Sequence, residues 1–199
     1  MQQLFLQEAA ANKVFPVGAG LWTRLHPEDR IKVPYTHWNF DSTTTRLPEF
    51  AAPGLGRESN GVALDIDVGA EASGVLYALG GVAGGLTLYV DKGRIVYEYN
   101  MMMIERTTGH SPEALAPGRH HIVVATKIAK PAGAADMSIV FDGKSSFDVV
   151  VPRTVAGAFS ANETLDVGTD LGSPVSLDYF DHRPCAFNGQ IEAMAVDLQ

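Results

Sequence analysis

From Asn60 onward the chain alternates. Val62, Leu64, Ile66 and Val68 stand between Ala63, Asp65 and Asp67, the period-two pattern of a strand with one buried face. The apolar set owns the core side, so Asp65 and Asp67 are expected in solvent. Further strands are predicted over residues 74–79, 85–90, 94–99, 120–128, 137–141, 146–151 and 191–198. Two pairs of these are joined by Asp91-Lys92-Gly93 and Asp142-Gly143-Lys144, which place glycine where a tight hairpin needs a positive φ. Short strands, glycine-bearing turns and no βαβ alternation predict an all-β antiparallel sandwich or barrel.

Ahead of the strands the period changes. Leu4, Phe5, Glu8, Ala9 and Asn12 fall on one helical face, which predicts a short N-terminal helix stopping at Asn12–Lys13 ahead of Pro16. So short a helix is marginal alone, and its Leu4/Phe5/Leu6 cluster calls for a partner surface, either its own sandwich or a second body. Residues 19–59 hold Pro27, Pro34, Pro48 and Pro53 and read as an irregular wrapping segment, with one possible strand at 35–40. The expected division is 1–18 helix and turn, 19–59 wrapping segment, 60–199 sandwich.

Composition narrows the partners. The 199 residues carry a net charge of −8, with no run of Lys or Arg. That disfavours nucleic acid and an anionic membrane surface as partners, since both require a basic patch. The single cysteine, Cys185, excludes an internal disulfide and any multi-cysteine zinc site. No apolar run approaches the ~18 residues of a spanning helix, and the first residues lack the positive charge of a signal peptide. A soluble chain of unassigned compartment is expected.

Two late segments carry a resemblance: Leu165 to Tyr179, and Phe187-Asn188-Gly189-Gln190-Ile191. With Gln3–Ala9, Val14-Phe15-Pro16, Ala52-Pro53-Gly54, Arg57-Glu58-Ser59, the stretch from Leu79 to Asn100, Pro117–His120 and Pro152–Val155, they resemble in order the C-terminal region of long bacterial arylsulfatases. The resemblance implies a jelly roll of the concanavalin or laminin G kind. It also implies a non-catalytic accessory domain that packs, in cis or in trans, against a sulfatase catalytic domain and shapes its substrate pocket. The family's Cys/Ser-x-Pro/Ala-x-Arg nucleophile motif has no counterpart here, so no catalytic residue is assigned. Met101-Met102-Met103 stands where the family carries aromatics, and Cys185-Ala186 where it carries Pro and Phe. A lectin-like carbohydrate-binding module is the alternative reading, supported by fold analogy.

Residues that could carry chemistry are few. Asp166, Gly168, Asp170, Gly172, Pro174 and Tyr179 read as a structural loop of Asx turns and buried hydrogen bonds rather than a calcium site, because their spacing does not fit Asp-x-Asp-x-Asp-Gly. Leu4, Phe5, Leu6, Met101, Met102 and Met103 are the candidate contact surface for a partner, whether the catalytic domain or a second copy of this chain. His120 and His121 are successive strand residues that face opposite ways, a poor metal pair, and His37 and His182 read as isolated loop histidines. Tyr97, Tyr99 and Trp38 either pack on the sheet or stack on a sugar ring. The glycines from Gly80 to Gly85 precede a strand, which speaks against a phosphate cradle. No metal and no cofactor are expected.

Overall fold

The computed structural model describes residues 2–11, 26 and 34–199. The expected helix stop at Asn12–Lys13 and the Val14-Phe15-Pro16 turn lie outside the described residues.

Among the described residues helix α1 spans Gln2–Ala11, and twelve strands follow: β1 His37–Phe40, β2 Leu47–Pro48, β3 Asn60–Val68, β4 Gly74–Gly81, β5 Gly84–Asp91, β6 Arg94–Met101, β7 Glu105–His110, β8 Gly118–Ile128, β9 Ala135–Phe141, β10 Lys144–Val151, β11 Thr164–Val167 and β12 Gln190–Leu198. They form two six-stranded sheets, ordered β1-β12-β3-β8-β9-β10 and β2-β11-β4-β5-β6-β7, with every ladder antiparallel. The all-β, two-sheet jelly roll with one short helix is thus the observed architecture.

Both glycine turns behave as their sequences require. Lys92 and Gly93 have φ of 48° and 78°, and Asp142 and Gly143 have 52° and 72°. Two central residues with positive φ make the turn whose twist matches a right-handed hairpin.

The alternating apolar residues of β3 and β8 meet those of β4, β5 and β6 between the sheets. Leu64, Ile122, Leu79, Leu88, Ile95 and Tyr99 are essentially inaccessible there. Tyr99 places its hydroxyl deep in this core, where it donates to Gly56 O at 2.8 Å and accepts Val155 N–H at 2.8 Å. Its ring meets Phe159 edge-on at 5.3 Å. Satisfying the hydroxyl twice lets a large amphipathic ring be buried without leaving a polar orphan.

Three elements differ from expectation. The possible strand at 35–40 is β1, an edge strand of one sheet, which makes His37 a strand residue and not a loop residue, while residues 47–48 add an unexpected edge strand, β2, to the other sheet. Strand β7 has the sequence Glu-Arg-Thr-Thr-Gly-His, with no apolar alternation, because it is an edge strand with partly exposed residues throughout. Asp166 lies in strand β11, paired with Ala78, rather than in a loop. Loop composition around it hid a strand whose inner residues, Leu165 and Val167, are fully buried.

No helix among the described residues is long and apolar enough to cross a membrane.

Candidate functional site

The sheet that contains β4, β5 and β6 is buried on both faces. Val75, Ala78, Tyr89 and Val96 point away from the main core and form a second cluster with Val175 and Tyr179. The cover is a strap, residues 168–187, that crosses the outer face of the sheet between β11 and β12. Strand β6 is consequently buried from Ile95 to Asn100, and the buried set includes Tyr97, Glu98 and Tyr99. Tyr97 and Tyr99 are core residues at 1% and 0% exposure, so neither presents a ring to a sugar; Trp38 packs half-buried against the same core.

Polar side chains hold the strap down. Glu98 pairs with Arg106 and accepts Ser176 Oγ–H at 2.5 Å, while Arg106 also donates to Val175 O at 3.1 Å. Tyr89 donates to Asp178 Oδ2 at 3.1 Å and meets the Tyr179 ring edge-on at 5.1 Å. Asp170 Oδ2 accepts both Val175 N–H at 2.8 Å and Tyr179 O–H at 2.6 Å, leaving Oδ1 buried with no partner. Burial pushes Asp170 up to about 6, against the pull of those two donors, and burial likewise raises Glu98 despite Ser176 and Arg106. Asp166 Oδ1 accepts Arg46 N–H at 2.6 Å, and its Oδ2 accepts Thr164 O–H at 3.0 Å and Leu171 N–H at 3.3 Å. Pro174 is buried within this strap, and Gly172 has φ 103° with Glu163 close by.

The remaining candidates are spread apart. Leu4, Phe5 and Leu6 are all more than half exposed on α1. Met101 and Met102 pack partly buried against the core, while Met103 projects at 69% exposure in the β6–β7 turn. The structure does not bring these two groups into one described surface.

Histidines pair with carboxylates on neighbouring strands or turns: His37 with Asp197, His120 with Asp142 and His121 with Asp65, each at 2.7 Å. His120 is raised: the Ala116 carbonyl and Asp142 together outweigh its burial. The ring nitrogens of His37, His110, His120 and His121 meet carboxylates or carbonyls and no hydroxyl or thiol, and among the described residues no group of three metal-ligating side chains gathers. The Cys185 thiol is pushed up by burial, the opposite of an activated nucleophile.

One concavity is built by the start of the strap. Where β11 ends, β12 begins and the loop after β1 turns, a pocket of about 250 Å³ opens between Ser42, Gly168, Thr169, Phe187, Gln190 and Ile191. Its walls are fixed by main-chain bonds: Gly168 N–H to Leu76 O, Phe187 N–H to Gly168 O and Val167 N–H to Thr44 O, each 2.9 Å. Asn188 pins the far wall, donating to Glu71 O at 2.7 Å and accepting Ser73 N–H at 2.9 Å. Gly168 is required at the floor. Its φ is 77°, and a Cβ there would stand 3.5 Å from Ile191 and 4.0 Å from Ser42, inside the pocket. Thr169 Oγ1 donates to Pro184 O, whereas the Ser42 hydroxyl and the Gln190 amide have no hydrogen-bond partner among the described residues. Sequence reasoning named Gly168 and noted the Phe187–Ile191 stretch, but it missed Ser42, which reaches the site from the wrapping segment.

A two-sheet jelly roll of this kind is the architecture of several carbohydrate-recognising and laminin G domains. The structure is similar to the Ruminococcus gnavus IT-sialidase CBM40 bound to alpha2,6 sialyllactose, with TM-score 0.58, 13% identity and coverage of 83% of this chain and 92% of that one. It is similar to the leech intramolecular trans-sialidase, with TM-score 0.51, 12% identity and coverage of 82% of this chain and 25% of that one. It is also similar to the LG1-3 region of the laminin alpha2 chain, with TM-score 0.50, 16% identity and coverage of 80% and 30%. No protein-family model matches the chain, and no curated protein matches it.

Proposed function

We propose that this chain is a lectin-like carbohydrate-binding module. The observation that carries the reading is the pocket at the sandwich end, where a half-buried aromatic ring and an aliphatic floor face two neutral hydrogen-bonding side chains with no other partner. An apolar face ringed by a few placed polar groups is what a sugar ring requires, since a pyranose has C–H faces and an equatorial rim of hydroxyls. The fold adds precedent, because it covers nearly all of a module whose structure is described with bound sialyllactose. The direct test is isothermal titration calorimetry after a glycan array screen. Saturable binding of at least one glycan is expected, and an array without a signal above background at millimolar sugar would refute the module reading.

A second reading, packing against a larger enzyme body, is favoured by the exposure of Leu4, Phe5 and Leu6 side by side on α1. Such a cluster is expected to be covered by a partner. On that reading the chain resembles an arylsulfatase C-terminal domain and has no hydrolytic activity of its own. Turnover of a chromogenic aryl sulfate with added divalent metal, retained in Cys185→Ala, would refute it.

A further inference from the structure

We infer that the pocket between Ser42, Gly168, Phe187 and Gln190 receives a single neutral sugar ring and rejects acidic sugars. This rests on the carbohydrate-binding reading and specifies its ligand.

Size sets the first limit. At about 250 Å³ the pocket falls below the ~300–1,000 Å³ of sites that enclose drug-sized ligands, and it suits one terminal ring rather than an extended chain. The strap sets the second. It covers Val75, Ala78, Tyr89 and Val96 on the outer face of its sheet, so a ligand cannot lie against those residues, whereas the pocket at the sandwich end stays open.

Chemistry sets the third. Phe187 and Ile191 offer the apolar platform, and Ser42 Oγ, Thr169 Oγ1 and the Gln190 amide offer uncharged donors and acceptors. No Lys, Arg or His lines the pocket. The arginines that neighbour it in the fold do not line it. Arg119 lies two strands from Gln190 in the same row, about 10 Å by strand spacing, and is paired with Glu192 at 2.8 Å. Arg183 is stacked over Phe180 at 4.4 Å. Arg46 meets Asp166 only through its backbone amide, and its guanidinium is not among the groups that line the pocket.

The near charges are instead negative. Asp41 precedes Ser42 in the chain, and its carboxylate, fully exposed, is held below the usual range by hydrogen bonds from the Thr43 hydroxyl and amide. Asp67 is the register partner of Gln190 and shares its face of the sheet. A sugar carboxylate entering here would lose hydration, gain no cation and face two carboxylates. A neutral ring meets none of these penalties.

The experiment is calorimetric titration of the whole chain with galactose, glucose, mannose, N-acetylglucosamine and lactose, and with 3′- and 6′-sialyllactose, on wild type, Ser42→Ala/Gln190→Ala and Gln190→Arg. Both substituted side chains are solvent-exposed, so an unchanged melting temperature is expected and checked first. Neutral sugars should bind, and sialyllactose should bind at least about 10-fold more weakly than the best of them. The double variant should lose about 10-fold in affinity for the neutral sugar, equivalent to about 1.4 kcal/mol. Gln190→Arg should narrow the gap for sialyllactose. Binding of sialyllactose at equal or higher affinity overturns the neutral-ligand inference and leaves the module reading standing. Neutral binding untouched by the double variant overturns the site. No binding of any sugar overturns both.

Discussion

Asp170→Asn isolates the most exposed consequence of the strap's architecture, a carboxyl buried against sheet and ring. Asp170 is 2% exposed and raised to about 6 from an ordinary 3.8. A carboxyl with a raised folded value holds its proton more tightly folded than unfolded. Its contribution to stability is therefore complete below about pH 4 and is lost as pH rises through about 6. At about 1.4 kcal/mol per decade, complete titration is worth about 3 kcal/mol, of which about 2 kcal/mol falls between pH 4.5 and 7.5. Asparagine removes the charge and retains one carbonyl oxygen for Val175 N–H and Tyr179 O–H, which both already meet a single oxygen of Asp170. Urea unfolding of wild type and variant at pH 4.5, 5.5, 6.5 and 7.5 gives the difference directly, and subtracting the two curves cancels every other titrating group, including Glu98 and His120. The variant should gain about 2 kcal/mol on wild type across that range, with no change in the slope of stability against urea. A difference that stays constant within about 0.5 kcal/mol would show that Asp170 titrates in the folded chain as it does in water, and that the desolvation argument is wrong.

Three further outcomes follow from named contacts. Asp170→Ala, which strips both donors of their acceptor, should lower stability by about 1–2 kcal/mol at pH 7.5, and millimolar calcium should leave the melting temperature unchanged; a calcium-dependent rise lost in Asp170→Ala would make this a metal site. Gly168→Ala should lower stability by about 1–3 kcal/mol through its positive φ and abolish sugar binding by filling the floor, checked by melting and by calorimetric titration. Phe5→Glu should convert any dimer seen by light scattering into monomer, because α1 exposes Phe5 beside Leu4 and Leu6; wild type that stays monomeric at high concentration contradicts a self-associating helix.

The sandwich was legible wherever one face of a strand is buried and the other wet, as in β3, where the alternation of Val62, Leu64, Ile66 and Val68 survives intact. It was least legible where that contrast vanishes. In β7 both faces are partly wet, and in β11 Asp166 on the outer side is as buried as Leu165 on the inner, because the strap covers it. The buried hydrogen bonds of Asp170 and Tyr179 were readable from the crowding of Asp, Gly and Pro in one short stretch. The pocket was not, since it is assembled from three segments, one of them more than a hundred residues from the other two. Ser42 is an ordinary polar loop residue until the chain folds, when the register of β1 against β12 and the bond from Val167 N–H to Thr44 O carry its loop to Gln190.

The position of β12 has a consequence for the chain as it is made. Strand β12 sits between β1 and β3, so the first strand described has as its ladder partner the last one described. While the ribosome is still adding residues beyond 189, β3 presents an open edge and β1 has nothing to pair with. The sheet closes only when the last nine-residue strand, Gln190–Leu198, slides into the gap. Closure across so long a loop is slow, and the waiting edge is a template for wrong partners. Loss of β12 removes an inner plank of the sheet rather than a fringe, and the nascent chain is in most need of chaperone protection until that strand has been made and has docked.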